Sequence, residues 1–207
     1  MIVTISREYG AAGLAVADGS ARALGYALLT DDLPKTVAAR LGTSAEEVAS
    51  RANAEASLGE RILASLDAGT PEAVGASVTS PGGFDESVRR EIERTIRERA
   101  ERGDVVILGR YANAVLGARA DVLRVFLVAT RSWRCARLVE AFAWSAETAL
   151  AAIDRIDAAR KKLAKDRYGL RWGDPHAYDL VVDVSRVTVD GAVALVATAV
   201  RTLERGG

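Results

Sequence analysis

The chain has 207 residues, and its 28 lysines and arginines are balanced by 28 aspartates and glutamates, so the formal net charge is zero. This balance excludes a strong overall field for nucleic acid or anionic lipid, and any basic site must be local. The single cysteine, Cys135, and the single histidine, His176, exclude an internal disulfide and a four-thiolate zinc site.

The first predicted element is a short strand followed by a glycine-containing loop. The β-branched run from Ile2 to Ile5 predicts a buried strand, and Gly10 and Gly13 predict the loop after it. Apolar residues at helical spacing then continue to Leu24. Strand, loop and helix in this order favour a phosphate site, because backbone N–H groups and a helix N-terminus point to one place. The alternative is that the two glycines only allow a tight turn.

The rest of the chain alternates helical patterns with short apolar runs. Further strands are predicted at Tyr26 to Leu29, Val105 to Leu108, Leu123 to Val128 and Asp179 to Val184. Helices are predicted at Leu33 to Leu41, from the capping box of Ser44 and Glu47 to Ser57, at Gly59 to Leu66, Val88 to Ala100, Trp133 to Ala143, Glu147 to Lys165 and Ala192 to Leu203. Five strands separated by helices predict an α/β fold, a three-layer, doubly wound, five-stranded parallel sheet, in one domain over residues 1–207.

Two segments are predicted to stand apart from this sheet. Residues 33–85 form a helical insertion on the acceptor side, and its glycine- and proline-rich part from Gly69 to Asp85 predicts a mobile loop. Residues 145–175 are charged and form a lid-like segment. Ligands of open parallel sheets bind beyond the carboxyl ends of the strands, so the site is expected there.

The loop does not fit the standard phosphate-loop sequence, G-x-x-x-x-G-K-[ST]. On that frame Arg7 takes the place of the first glycine and Ala12 of the second. Gly13 takes the place of the lysine, and Leu14 that of the magnesium-binding hydroxyl. The loop therefore lacks the usual cation, and we expect Arg7 to supply part of its charge.

The opening Ile5-Ser6-Arg7-Glu8-Tyr9-Gly10, with Gly13 after it, resembles the ISREYGSGG start of the cytidylate kinase-like family. Further matches follow in order along nearly the whole chain: Asp31 or Asp32, Ile107-Leu108-Gly109-Arg110, the arginines Arg131, Arg134 and Arg137, Asp157-Ala158-Ala159-Arg160, Tyr168-Gly169, Trp172-Gly173-Asp174-Pro175 and Tyr178-Asp179-Leu180. Departures from the family pattern are Ala12, where glycine is usual, and Leu14-Ala15, where a charged pair is frequent.

The resemblance implies a P-loop, nucleoside monophosphate kinase-like fold and ATP-dependent phosphoryl transfer to a nucleoside monophosphate, cytidylate in the family name, with Mg²⁺ neutralising the donor phosphates. No protein ligand for the metal is identified. The predicted phosphate loop comprises Ser6, Tyr9, Gly10, Ala11, Ala12 and Gly13. The predicted acceptor ligands are Asp31, Asp32 and Arg110, and the predicted catalytic residues are Arg7, Arg134, Arg137, Arg155, Asp157 and Arg160.

Each role has a structural alternative. Arg110 could pair with a neighbouring carboxylate, Asp31 and Asp32 could form a turn and a helix cap, and the arginines after the fourth strand could line a solvated helix face. For the whole protein, the alternatives are a weak or inactive nucleotide-binding module and a kinase of a non-nucleotide metabolite.

The sequence also indicates the setting of the protein. The partner is expected to be a nucleotide or a small phosphorylated substrate, without nucleic acid or membrane, and the oligomeric state stays open, a homo-oligomer included. A cytoplasmic location is expected, because no basic leader precedes the first strand and no apolar stretch approaches the ~18 residues that span a bilayer. His176 is expected at the surface and Cys135 in packing.

Overall fold

The computed structural model describes residues 1–30, 32–48 and 84–206. Its centre is one parallel sheet in the order β2-β3-β1-β4-β5. The strands are β1 (Ile2–Arg7), β2 (Ala27–Leu29), β3 (Val105–Leu108), β4 (Val122–Val128) and β5 (Leu180–Asp183). All four neighbouring pairs are parallel, which confirms the predicted doubly wound sheet.

Helices connect the strands and cover the sheet. They are α1 (Gly13–Leu24), α2 (Asp32–Leu41), α3 (Phe84–Glu101), α4 (Ala112–Leu116), α5 (Arg131–Phe142), α6 (Ala146–Tyr168) and α7 (Val184–Gly206). The short α4 and a 3₁₀ turn at Pro175–Ala177 were not predicted. The last helix begins eight residues earlier than predicted and is interrupted at Thr188, whose φ is 64°.

The insertion predicted over residues 33–85 falls mostly outside the described residues. Its first helix is present as α2, and residues 45–48 are helical, with the Glu47 N–H donating to Ser44 Oγ at 3.1 Å as the capping box predicts. The rest of that helix, the helix predicted from Gly59 to Leu66 and the loop predicted from Gly69 lie outside the described residues, apart from the start of α3.

The central strand β1 supplies both faces of the core because its side chains alternate. Val3 and Ile5 are fully buried and join the cluster formed with α1 and α7. Ile2, also fully buried, joins the opposite cluster with α2 and α3. Burial on both faces explains the continuous apolar run, and it fixes the carboxyl end of β1 in the middle of the sheet.

A third apolar cluster joins the loop after β1 to α5 and α6. Tyr9 packs there with Leu138 of α5 and with Ile153 and Ile156 of α6. Cys135 is buried in the same cluster, as its predicted packing role requires. The first half of the segment predicted as a lid is therefore packed onto the loop. No helix in the described part of the chain is long and apolar enough to cross a bilayer.

Candidate active site

The loop after β1 and the start of α1 form a backbone cradle. Gly10 has a φ of 84° and Ala12 a φ of 52°, so the chain reverses through two left-handed residues before the helix begins. Ala12 occupies the N-cap position of α1, where no side chain bonds the first N–H groups, and the first turn carries no acidic residue. Uncapped N–H groups at a helix N-terminus favour an anion.

The side chain of Arg7 lies across this cradle. A Cβ placed on Gly13 would be 2.7 Å from Arg7 Cγ, and a Cβ on Gly109 would overlap Arg7 Nη1. The arginine therefore runs from the start of α1 to the turn after β3, and it uses the space left by two glycines. Gly13 stands at the lysine position of the standard loop. The Arg7 side chain occupies the space that a side chain at position 13 would need.

The turn after β3 has an unusual backbone. Gly109, Arg110 and Tyr111 have φ values of 71°, 53° and 52° in succession. A left-handed conformation costs roughly 1–2 kcal/mol for a residue with a Cβ, so Arg110 and Tyr111 are strained. Strain of this kind persists where surrounding contacts impose it, and such residues cluster at ligand sites.

Contacts on both sides hold this turn. The Gly109 N–H donates to the Ile5 carbonyl at 2.9 Å, which ties the turn to β1. The ring of Tyr111 stacks on that of Tyr168 at 5.3 Å, and its hydroxyl donates to the Arg160 carbonyl at 3.4 Å. Arg110, half-buried, is thereby placed at the carboxyl end of β3 and next to the glycine that Arg7 contacts.

A buried ion pair forms hydrogen bonds to the backbone of the loop after β1. Arg134 of α5 donates from Nη1 to Asp157 Oδ2 of α6 at 2.6 Å and to the Tyr9 carbonyl at 3.1 Å. The Tyr9 N–H donates to Asp157 Oδ1 at 2.8 Å. Arg160 donates to the Arg7 carbonyl at 3.0 Å, and its guanidinium lies 5.8 Å from the Tyr9 ring centre. Three of the residues predicted as catalytic thus bond the backbone of the loop.

Glu8 is part of the same arrangement and was missed by the sequence analysis. Its carboxylate accepts from the Ala129 N–H at 3.1 Å and lies 3.5 Å from Arg134 Nε. An acidic residue inside the loop predicted to bind phosphate was the available signal, because its charge would repel such a ligand unless another group neutralised it.

Other predicted residues lie farther from the loop or outside the described side chains. Arg137 is exposed on α5 with its guanidinium 5.0 Å from the Trp133 ring centre, and Arg155 is exposed on α6. The three arginines after β4 do not share a face, because Arg134 is buried while Arg131 pairs at the surface with Asp154. Asp31 and the side chain of Asp32 lie outside the described residues.

A small polar cluster lies on the other face of β1. Ser6 is buried there, close to Tyr178. Burial of Tyr178 raises the pKa of its hydroxyl, and interactions with Ser6, the Gly173 backbone and Asn113 partly offset that rise. The Tyr178 ring stacks on Phe126 at 4.7 Å, with Trp172 at the edge of Phe126. These aromatic residues therefore pack on the sheet. His176 is exposed, as predicted.

The side chains offer little to a metal ion. Within the described ranges no group of three or more histidine, cysteine, aspartate or glutamate side chains is placed to hold one. Leu14, at the hydroxyl position of the standard loop, is 54% exposed and apolar. Mg²⁺ commonly keeps several water ligands and binds through substrate phosphates, so a Mg²⁺–nucleotide complex needs no full protein cage.

Comparison with solved structures shows the fold. An uncharacterized protein from Eubacterium ventriosum ATCC 27560 superposes with a TM-score of 0.70 at 21% identity, covering 98% of this chain and 99% of that one. Shikimate kinase from Bacteroides thetaiotaomicron superposes with a TM-score of 0.53 at 15% identity, covering 97% and 98%. The chain thus shares the fold of these two proteins.

Comparison of sequences shows the family. Cytidylate kinase from Methanococcus maripaludis (strain C5 / ATCC BAA-1333) is 30% identical over 120 residues, which are 56% of this chain and 67% of that protein. Cytidylate kinase from Methanopyrus kandleri is 31% identical over 121 residues, 55% of this chain and 63% of that protein. The sequence pattern of the cytidylate kinase-like family matches residues 2–186. On this match, which includes every described strand, the chain belongs to the cytidylate kinase-like family.

Proposed function

We propose that the protein transfers a phosphoryl group from ATP to a nucleoside monophosphate, cytidylate or a related small phosphate acceptor. The observation that carries the proposal is the course of Arg7, whose side chain lies over Gly13 and reaches Gly109. It joins the cradle at α1 to the turn that carries Arg110. A cation at this position faces both the donor and the acceptor sides of a phosphoryl transfer.

On the donor side, the residues present fit a nucleotide phosphate. Gly10, Ala12 and Gly13 are proposed to offer backbone N–H groups at the uncapped start of α1, whereas the Ala11 N–H donates to the Glu8 carbonyl at 3.2 Å and shapes the loop. Arg7 adds the positive charge that position 13 lacks. Bound Mg²⁺ would neutralise the donor phosphates. Phosphoryl transfer needs mainly positioning and charge stabilisation, and an arginine fork suits phosphate oxygens.

On the acceptor side, Arg110 is the proposed phosphate ligand. Its backbone strain is imposed by the contacts of Gly109 and Tyr111, which fix where its side chain starts. Asp31 and Asp32 are proposed to bind an acceptor hydroxyl. Arg137 of α5 and Arg155 of α6, both exposed, are proposed as outer charge clamps.

The position of Arg7 weakens the argument for the alternative, a weak or inactive nucleotide-binding module. Its basis was the absence of both the lysine and the magnesium-binding hydroxyl. For the lysine, a side chain on residue 13 would collide with the arginine already present. The loop is therefore built around a different cation.

The test is a phosphoryl-transfer assay with ATP, Mg²⁺ and a panel of nucleoside monophosphates and non-nucleotide metabolites, run beside thermal shift with the same ligands. Turnover of cytidylate or another monophosphate is the expected result. Stabilisation by ATP without turnover of any acceptor would support the regulatory module instead. ATP binding with turnover only of a non-nucleotide metabolite, shikimate included, would assign a different acceptor to the same donor site.

A further inference from the structure

The buried pair of Arg134 and Asp157 takes both backbone hydrogen-bonding groups of one loop residue. The Tyr9 carbonyl accepts from Arg134 and the Tyr9 N–H donates to Asp157, at 3.1 Å and 2.8 Å. Arg134 also donates from Nε to the Ala129 carbonyl at 3.1 Å. The conformation of Tyr9 is therefore set by side chains from two helices rather than by neighbouring strands.

The next residue of the loop rests on the same helix. A Cβ added to Gly10 would lie 3.1 Å from Arg134 Cβ and 3.3 Å from the Arg134 carbonyl oxygen, so it would be tight against α5, and the φ of 84° also disfavours a side chain. Residues 9 and 10 are thus held by hydrogen bonds and by close packing at one place. The cradle of N–H groups begins immediately after them.

A second pair joins the same two helices without this role. Arg131 and Asp154, three residues before Arg134 and Asp157 in each helix, form two hydrogen bonds at 3.2 and 2.6 Å with side chains 51% and 62% exposed. The inner pair has side chains only 8% and 12% exposed. Burying two charges costs free energy that their attraction need not recover, so docking the helices is a poor reason for the inner pair.

We propose that Arg134 and Asp157 are positioning residues that hold the donor-phosphate loop in its binding conformation. The inference rests on the proposed function and changes the role of two residues first expected to clamp the transferring phosphoryl group. Because their hydrogen-bonding groups face the loop backbone, they act on the donor through Tyr9 and Gly10. They link α6, which forms most of the lid-like segment, to the cradle.

A positioning role predicts a kinetic signature different from that of a phosphoryl clamp. Misplaced loop N–H groups weaken the binding of the donor equally in the ground state and in the transition state. The KM for ATP therefore rises, and kcat stays unchanged. Removal of a group that contacts the transferring phosphoryl lowers kcat, by ~10²–10³ for one preorganised donor. The KM for the acceptor is expected to stay unchanged in the first case.

The test compares Asp157→Asn with Asp154→Asn, the same change one turn earlier on the same helix. Asp157→Asn keeps an oxygen for Tyr9 but leaves Arg134 and Arg160 without their shared carboxylate. We expect a ~10–100-fold higher KM for ATP, in line with the effect of a small misplacement, and a kcat within about threefold of wild type. Hydrogen exchange at the Tyr9 amide, followed by NMR without ligand, should accelerate at least ~10-fold, because the bond that protects it weakens. Asp154→Asn should change none of these quantities.

A wild-type ATP KM together with a kcat reduced ~10²–10³-fold in Asp157→Asn would overturn the inference, as would unchanged exchange at Tyr9. If Asp157→Asn does not fold, Arg134→Lys decides, because one ammonium cannot serve Asp157, the Tyr9 carbonyl and the Ala129 carbonyl in the same geometry. A folded Arg134→Lys protein with wild-type Tyr9 exchange and ATP KM would also reject it. If the wild-type protein turns over no nucleotide, the proposed function fails, and the Tyr9 exchange rates still decide whether the pair holds the loop.

Discussion

The side chain of Arg7 lies so close to Gly13 that its Cγ is 2.7 Å from the place of a Cβ on that residue. A contact this short is outside what real Cβ atoms show, so any side chain at position 13 must displace the arginine. A lysine at position 13 and Arg7 in its present position therefore exclude each other, and substitutions at position 13 test the role of Arg7.

Gly13→Ala should lower kcat and also raise the KM for ATP, each about 10-fold or more, since the added methyl group pushes Arg7 away from the cradle. Steady-state kinetics at varied ATP gives both values. The control is Gly191→Ala in α7, where a Cβ would meet Val187 Cβ at an ordinary 3.4 Å and no loop residue is involved. Equal ATP affinity in wild type and Gly13→Ala would mean that the position of Arg7 has no bearing on the donor.

Arg7→Ala should lower kcat by ~10²–10³, the range for loss of one preorganised electrostatic donor. Arg7→Lys should recover part of the rate, because charge returns without the planar fork. Arg22→Ala, which removes an exposed arginine from α1, serves as the control and should leave kcat unchanged. If the Arg7→Ala protein turns over at the wild-type rate, the charge at the site must come from another arginine.

Arg110→Gly should separate the side chain of Arg110 from its backbone strain. Glycine accepts the φ of 53° without penalty, so the melting temperature should hold or rise, while the KM for the acceptor rises at least ~10-fold with loss of the guanidinium. Ala143→Gly relieves a similar φ of 52° at the end of α5 and should affect only the melting temperature. A lower melting temperature with unchanged acceptor KM in Arg110→Gly would make Arg110 a structural residue.

Tyr168 should contribute to stability in a way that is lost at alkaline pH. Burial, and then the neighbouring Glu93 carboxylate, raises its pKa to about 12 from the ordinary 10. The folded protein therefore holds this proton more tightly than the unfolded chain. The contribution is complete below pH 10 and disappears as the pH rises towards 12.

Urea unfolding of wild type and Tyr168→Phe between pH 8 and 12 measures this effect. The difference in unfolding free energy between the two proteins should shrink as the pH rises through this range. A difference that stays constant to pH 12 would contradict the raised pKa.

The fold could be predicted from the sequence because its signals are local. The five strands are short apolar runs, of which the three central ones are buried on both faces, and the long helices carry apolar residues at helical spacing. The capping box at Ser44 predicted the start of its helix. The helix α4 was missed because five residues are too few for periodicity, and its N-cap residue, Tyr111, is a left-handed residue rather than a usual cap.

The site could be predicted only in its position along the chain. Arg134 and Arg137 are one turn apart on the same helix, yet one is buried against the loop and the other is exposed over Trp133. Nothing in their spacing distinguishes them, since the packing of α6 against α5 decides which face becomes interior. The contact between Arg7 and Gly109 joins the last residue of β1 to the turn after β3, and the sequence carries no local signal of it.

The hydrogen bonds of Arg134 and Asp157 to the Tyr9 backbone also decide whether this loop could be transplanted into another protein. Its peptide groups are satisfied by Arg134 and Asp157, which stand more than a hundred residues away in the chain. A synthetic peptide spanning residues 5–13, or a host protein given only that segment, would lack both partners and should not keep the cradle. Transfer of the loop in its present conformation therefore requires α5 and α6 as well, so the smallest transferable unit is a tertiary substructure and not a sequence motif.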